Sequence, residues 1–467
     1  MDNSVVRIFF LVKVFRLTNT SNYSKIILYL RRLMENKLIT PRKLQGFWEL
    51  EPQKEILFEQ MQDKIKAVFA QNCFLPLDTP VLELAEILLA KSGGDLDKEI
   101  YAFSKGSTNM CMRYDFTVPL ARYVSANAGE MEFPFKRFQI GKNYRGEKPQ
   151  KGRFREFYQC DADIIGDGEL SLVADAECIK LYHDCFKALG YDEVTEISNR
   201  NILVGLIEDC EDKEKENEII VLLDKVDKIG KENALASLVE LGVEKKNAEK
   251  YISAVEIQGS FVEVEKALSP LSSNETFVKG LAELKEVEEY LTAFKTPKEN
   301  YIYNIGIIRG HNYYTGTVFE VYLKNNRRFG ALGGGGRYEN LAGYFTDRKL
   351  PGVGMSIGLS RLFDLFDQNG LLPQIKKTPI EVFIIPLGGY VKECISICET
   401  LRQNGIMTEV AYSNRSFKSK MKEADRREIP FAMIVGENEV KEGKYAFKNM
   451  NTGTQDMLSI EEIIKRF

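Results

Sequence analysis

Three arginines sit in separate segments rich in glycine and aromatic residues. Arg145 lies in Tyr144-Arg-Gly-Glu147, Arg309 in Arg309-Gly-His-Asn-Tyr313-Tyr314, and Arg361 ends Gly354-Met-Ser-Ile-Gly-Leu-Ser-Arg361. A guanidinium is always charged, and its planar fork of donors matches two oxygens of a phosphate or carboxylate. A lone arginine in a strand is more often an ion-pair partner, but three in such settings point to a site that holds anions. Imidazole chemistry is scarce by comparison. Only His183 and His311 are present, which excludes a multi-histidine metal site. Eight scattered cysteines include no C-x-x-C pair and read as buried or free thiols of a reducing compartment. Gly333-Gly-Gly-Gly336 lacks the Lys-Ser/Thr of a phosphate-binding loop, and Gly352-Val-Gly354-Met-Ser-Ile-Gly358 has the wrong spacing for a dinucleotide fingerprint.

These residues must be held by ordered elements. Pro52 to Gln71 places Ile56, Phe58, Met61, Ile65, Val68 and Phe69 near helical period behind a proline, which predicts a helix. Residues 131–165 read as strands joined by a long basic turn, Arg145 to Arg155, with Arg145 closing the first strand. Residues 301–323 read as two strands, with Arg309 in that pair. Between them, about 195–298 is Glu/Lys-rich and predicts an inserted helical module. A further boundary falls near Gln374–Pro379. Beyond it, strands at Ile380–Pro386, Ile406–Ala411 and Phe431–Val435 alternate with helices at Val391–Gln403 and Arg415–Arg427, so a small domain with a largely parallel sheet is expected.

The chain's 467 residues are enough for about three domains. With 44% hydrophobic and 28% charged residues it is an ordinary globular composition, which excludes disordered, collagenous and coiled-coil classes. No run of about 18 apolar residues is free of charge, so no membrane span is expected. A net charge of −4 excludes a globally basic nucleic-acid binder while leaving room for local basic patches. Residues 1–33 carry six basic residues against Asp2 alone. They read equally as an organellar targeting segment or as a stretch ahead of a true start at Met34.

Taken together, the segments resemble a family, the class II aminoacyl-tRNA synthetases, and within it the histidyl-tRNA synthetases. Thr79-Pro80-Val-Leu-Glu83, Tyr144-Arg145-Gly-Glu147 through Phe157, and Gly354 to Arg361 are similar to the three class II motifs. Arg309 to Tyr314 and Gly335-Gly-Arg337-Tyr-Glu resemble two signatures of the histidine enzyme. Met112-Arg-Tyr-Asp115-Phe-Thr117-Val-Pro resembles its amino-acid-binding segment in the archaeal and eukaryotic style. The resemblance spans about residues 34–467. It implies an α/β fold: a class II catalytic domain over 34–194 and 299–370, built on an antiparallel sheet flanked by helices. A helical insertion over 195–298 and an anticodon-binding domain over 378–467 complete it.

The same resemblance assigns roles. Arg145 and Arg309 would be catalytic, binding the α-phosphate of ATP and the substrate carboxylate from two sides. Arg153 and Arg361 would hold the outer phosphates with Mg2+ carried by ATP, Glu147 would accept from the adenine amino group, and Phe157 would stack on the ring. Asp163 and Tyr314 would meet the two imidazole nitrogens of L-histidine, Asp115, Thr117 and Gln159 would hold its α-amino group, and Tyr313 would line the pocket. For tRNA(His), Lys148 and Lys151 would meet the acceptor end. Arg415, Lys418, Lys422 and Arg426 would form a basic helix face, joined by Lys420 and Arg427. A homodimer with Pro80 at its interface, in the cytoplasm, is implied as well. A non-catalytic paralogue would typically have lost motif arginines and the C-terminal domain, and this chain keeps both. One departure stands out: His311-Asn312 replaces the usual Leu-Asp between Arg309 and Tyr314.

Overall fold

The computed structural model describes residues 39–89, 99–308, 314–339, 341–373 and 377–467. The chain forms two units divided after Gln45. In the first, residues 39–45 are exposed and without regular structure, and the expected N-terminal extension lies outside the described residues. All that follows belongs to the second.

Pro52 presets the backbone angle of a first helical turn, and a helix runs over Pro52–Gln71 as the apolar spacing predicts. It buries Phe58, Met61, Ile65, Val68 and Phe69 and packs along the helix Val173–Leu189. After it comes β1 (Leu75–Pro76). A small side sheet follows, made of β2 (Leu82–Leu84), β3 (Ala102–Lys105) and β4 (Thr108–Met112), with β4 in the middle. Two ten-residue strands, β5 (Phe135–Tyr144) and β6 (Glu156–Ile165), form a long antiparallel hairpin. The remaining strands of the large sheet are β7 (Glu193–Asn199), β8 (Gln258–Gly259), β9 (Tyr301–Asn304), β10 (Thr317–Leu323), β11 (Gly333–Tyr338) and β12 (Gly352–Ile357).

Among the described residues the large sheet has nine strands in the order β1-β5-β6-β12-β11-β10-β7-β9-β8. It is antiparallel except at β1–β5 and β7–β9, which pair in parallel. Two expectations shift. Residues 195–199 belong to β7 in this sheet, and the helical segment begins with the helix Arg200–Asp209. Glu196 made this strand look like the start of a charged helix. It is in fact buried, accepting from Asn304 Nδ2 at 2.7 Å and pairing with Arg327. The strand expected from residue 301 stops at Asn304, and residues 305–308 are turn and coil.

Beyond residue 377 a second sheet runs β14-β13-β15-β16-β17, from β13 (Val382–Pro386), β14 (Thr408–Val410), β15 (Phe431–Val435), β16 (Tyr445–Asn449) and β17 (Gln455–Leu458). β13 pairs in parallel with β14 and β15, while β16 and β17 return as an antiparallel edge that the sequence reading lacked. Helices cover both faces. Val382 and Ile384 point into the core beneath the helix Val391–Gln403, and Phe383 and Ile385 into the core beneath the helix Phe417–Arg426. Among the described residues no helix is long and apolar enough to cross a membrane.

Candidate active site

Alternate residues of a strand share a face, and cross-strand partners stand side by side on it. The β5–β6 register pairs Arg137 with Asp163, Gln139 with Asp161, Gly141 with Gln159 and Asn143 with Phe157. β12 sets Ser356 beside Asp161 and Gly354 beside Asp163, and β11 adds Gly336 and Tyr338. One face of the sheet thus carries a polar row floored in part by glycines. From Phe157 to Asp163 it extends about 20 Å at the usual rise of a strand.

Arg145 stands at one end. Its guanidinium lies 4.3 Å from the Tyr114 ring centre and 5.0 Å from that of Phe157, and its Nε donates to the Tyr114 carbonyl at 3.4 Å. No carboxylate among the described residues pairs with it, so the charge is held in place by rings and a carbonyl while its donors stay available for an anion. The Tyr114 hydroxyl, donating to Glu99 at 3.0 Å, is pushed up to about 12, chiefly by burial and against the Arg145 charge.

Gln159 occupies the middle with both ends fixed. Asn143 Nδ2 donates to its Oε1 at 2.7 Å, and its own Nε2 donates to Ser356 Oγ at 2.8 Å. Ser356 Oγ passes the chain on to Asp161 Oδ1 at 2.5 Å.

Carboxylates gather at the far end. Asp163 is buried between Arg137, whose Nη2 is 2.7 Å from Oδ2, and the Tyr338 hydroxyl, which donates to Oδ1 at 3.1 Å. Removing one partner of such a buried pair typically costs about 3–5 kcal/mol. Burial raises the Asp163 carboxyl, with Arg137 opposing. Burial likewise pushes Asp161 up to about 7, Arg137 opposing and Asp163 adding to the rise. Asp115 is near enough for its charge to raise both. Its Oδ1 is fixed by the backbone N–H groups of Thr117 and Val118 at 3.1 Å, at the start of the helix Thr117–Asn127. One end of the row is therefore cationic and the other acid-rich, complementary to a ligand with phosphate at one end and N–H groups at the other.

The other residues read from the sequence fall as follows. Tyr314 packs on Gly336 at this face, where a Cβ on the glycine would come within 2.9 Å of its ring. Arg361 sits in the helix Leu359–Gln368, directly after β12, and donates to the Phe329 carbonyl at 2.6 Å. The glycines around it therefore lie in a strand that leads into a helix through Gly358 alone. Glu147 and Arg153, assigned to opposite ends of a nucleotide, face each other at 3.3 Å across the 145–155 turn. That turn is anchored by Phe154, stacked on Trp48 at 5.1 Å, and it exposes Lys148 and Lys151. Arg309, His311, Asn312 and Tyr313 lie outside the described residues. In the small domain Arg415, Lys418, Lys422 and Arg426 are exposed. Lys420 is buried and Arg427 is tied to Glu409 at 2.8 Å, so neither extends the basic face as expected. Arg337 of the second signature has the opposite parity to Gly336 and Tyr338, and binds Asp175 behind the sheet.

Sequence reasoning missed Arg137, Asp161, Tyr338 and Ser356. A trace of them was present: Gln159, Asp161 and Asp163 alternate with the small apolar Cys160 and Ala162, and Arg137, Gln139 and Asn143 keep the same parity on the partner strand.

Comparison with known proteins gives the family. The family model described as histidyl-tRNA synthetase matches residues 46–362, and the anticodon binding domain model matches 381–467. The histidine–tRNA ligase of Clostridium tetani is 43% identical over 435 residues, covering 92% of this chain and 99% of that protein. That of Clostridium acetobutylicum is 41% identical over 433 residues, covering 92% of this chain and all of that protein. The crystal structure of histidyl-tRNA synthetase from Nostoc sp. PCC 7120 superposes with a TM-score of 0.83 at 31% identity, over 92% of this chain and 100% of that one. The chain belongs to the histidyl-tRNA synthetase family.

Proposed function

We propose that the polar row on the large sheet is where this family member activates L-histidine with ATP before passing it to tRNA(His). The observation that carries the reading is the division of one sheet face into a cationic end at Arg145 and an acid-rich end at Asp115, Asp161 and Asp163.

In the first step an oxygen of the histidine carboxylate attacks the α-phosphorus, the bond to the bridging oxygen breaks, and pyrophosphate leaves. Both reactants are anionic, so fixed positive charge is needed where they meet. Arg145 supplies it, pre-aimed by the Tyr114 and Phe157 rings, and a second charge is assigned to Arg309 by the family resemblance alone. Phe157 stacks on adenine, Glu147 accepts from its amino group, and Arg153 and Arg361 hold the outer phosphates. For this the Glu147–Arg153 pair must part when nucleotide enters. Mg2+ carried by ATP would supply further charge neutralisation to the outer phosphates that Arg153 and Arg361 hold.

At the acid-rich end Asp163 and Tyr314 meet the two imidazole nitrogens, Asp115, Thr117 and Gln159 hold the α-ammonium, and Tyr313 is assigned to the same pocket by the family resemblance alone. A site that hydrogen-bonds its substrate's polar edge rejects analogues lacking it by roughly 10⁴–10⁵. In the second step a hydroxyl of the tRNA 3′ end attacks the activated carbonyl and AMP leaves. Lys148 and Lys151 steer the acceptor end, and Arg415, Lys418, Lys422 and Arg426 meet the anticodon arm. The reading includes a cytoplasmic homodimer joined around Pro80. The test is charging: labelled histidine should become acid-precipitable on a tRNA(His) transcript only with ATP present. Charging without ATP, or none with it, overturns the reading.

A further inference from the structure

We infer that Arg137 is the positioning residue of the histidine pocket: its guanidinium fixes the Asp163 carboxylate in the one orientation that can receive the imidazole ring. The inference rests on the reading of Asp163 given above and deepens it.

Arg137 is fully buried, directly opposite Asp163 in the β5–β6 register. Its Nη2 binds Asp163 Oδ2, while Tyr338 on β11 binds Oδ1 from the other side. A carboxylate oxygen has room for about two hydrogen bonds, so each oxygen keeps acceptor capacity while the group as a whole cannot turn. Gly354 closes the third side, where even a Cβ would collide with Oδ1.

Arg137 also reaches toward the other half of the pocket. The same Nη2 lies 3.4 Å from the carbonyl of Phe116, the residue between Asp115 and Thr117. One guanidinium therefore ties the ring acceptor to the turn assigned to the α-amino group. Its Nε and Nη1 are buried and without a hydrogen-bond partner among the described residues. Buried donors left in this way are costly. A group serving only to balance the Asp163 charge would not need the second contact, to the Phe116 carbonyl.

Lysine keeps the charge but offers a point donor without the fork, so Arg137→Lys separates positioning from charge balance. The test measures histidine-dependent ATP–pyrophosphate exchange at varied histidine and varied ATP. The variants are Arg137→Lys, Arg137→Gln, Asp163→Asn and the double Arg137→Gln/Asp163→Asn. The expected result for Arg137→Lys is a KM for histidine raised about tenfold or more, with KM for ATP within about twofold. The double variant should be no worse than Asp163→Asn alone, because a residue acting through another adds nothing once that partner is gone.

If KM for histidine and ATP move together, or thermal stability alone falls, Arg137 is structural and the inference is overturned. Additive losses in the double variant overturn it too. Should Arg137→Gln fail to fold, Arg137→Lys carries the test. An Asp163→Asn protein with an unchanged KM for histidine removes the underlying reading of the pocket, whatever Arg137 does.

Discussion

Gly354 and Asp163 stand opposite each other on β12 and β6, so close that a Cβ on residue 354 would lie 2.1 Å from Oδ1 of the carboxylate. The glycine is there for space: it lets the Asp163 carboxylate lie flat against the backbone between Arg137 and Tyr338. Gly354→Ala must push the carboxylate away from both donors. Overpacking of this kind costs about 1–3 kcal/mol. The expected outcome is a lower melting temperature and a raised KM for histidine, measured by pyrophosphate exchange. Unchanged values for both would mean that Asp163 has somewhere else to go.

Much of this was legible in the sequence because the pattern was local. The helix Pro52–Gln71 follows from an apolar stripe behind a proline, and the β5–β6 hairpin from two apolar runs around a basic turn. Arg145, Phe157, Gln159 and Asp163 stood out through their segments. Arg137 and Tyr338 did not, because register alone brings them to Asp163, Tyr338 from 175 residues away. Nor did β7, whose buried Glu196 is balanced by partners over 100 residues distant. The charge of a residue is written in the chain, but its partner across a sheet is not.

Asp161 makes stability depend on pH. Its carboxyl is pushed up to about 7 in the fold, chiefly by burial, against about 3.9 in an unfolded chain. Between those values the folded protein holds a proton that the unfolded chain has released. This stabilisation is therefore complete below about pH 4 and is lost as the pH rises through about 7. Asp161→Asn cannot lose a proton. From about pH 5 to about pH 7 the unmodified protein should lose stability relative to this variant by up to roughly 1.4 kcal/mol per pH unit, read from urea midpoints. Parallel curves would count against the buried carboxyl.

The basic face of the small domain should matter for tRNA and not for activation. Lys418, Lys422 and Arg426 recur every four residues on the helix Phe417–Arg426, and all are exposed. Lys418→Glu with Lys422→Glu should weaken tRNA binding and make the slope of log affinity against log salt shallower, by about one for each phosphate no longer neutralised. Exchange without tRNA should stay unchanged. Equal tRNA affinity across salt would place the anticodon arm elsewhere.

His311-Asn312 departs from the usual Leu-Asp while Arg309 and Tyr314 keep their spacing. Asparagine keeps an acceptor of nearly the shape of aspartate. Reverting His311→Leu and Asn312→Asp together should change histidine activation by less than about tenfold, or about 1.4 kcal/mol. An inactive parent rescued by the reversion would mark a lost activity instead.

Whether Arg145 anchors histidine activation on this sheet face is decided by histidine-dependent ATP–pyrophosphate exchange in the parent and in Arg145→Ala. The parent should exchange clearly, and the variant should lose about 10²–10³, the range for removing one preorganised donor at a developing charge. If Arg145→Ala exchanges at the parent's rate, or the parent shows no histidine-dependent exchange, activation does not depend on this residue as proposed.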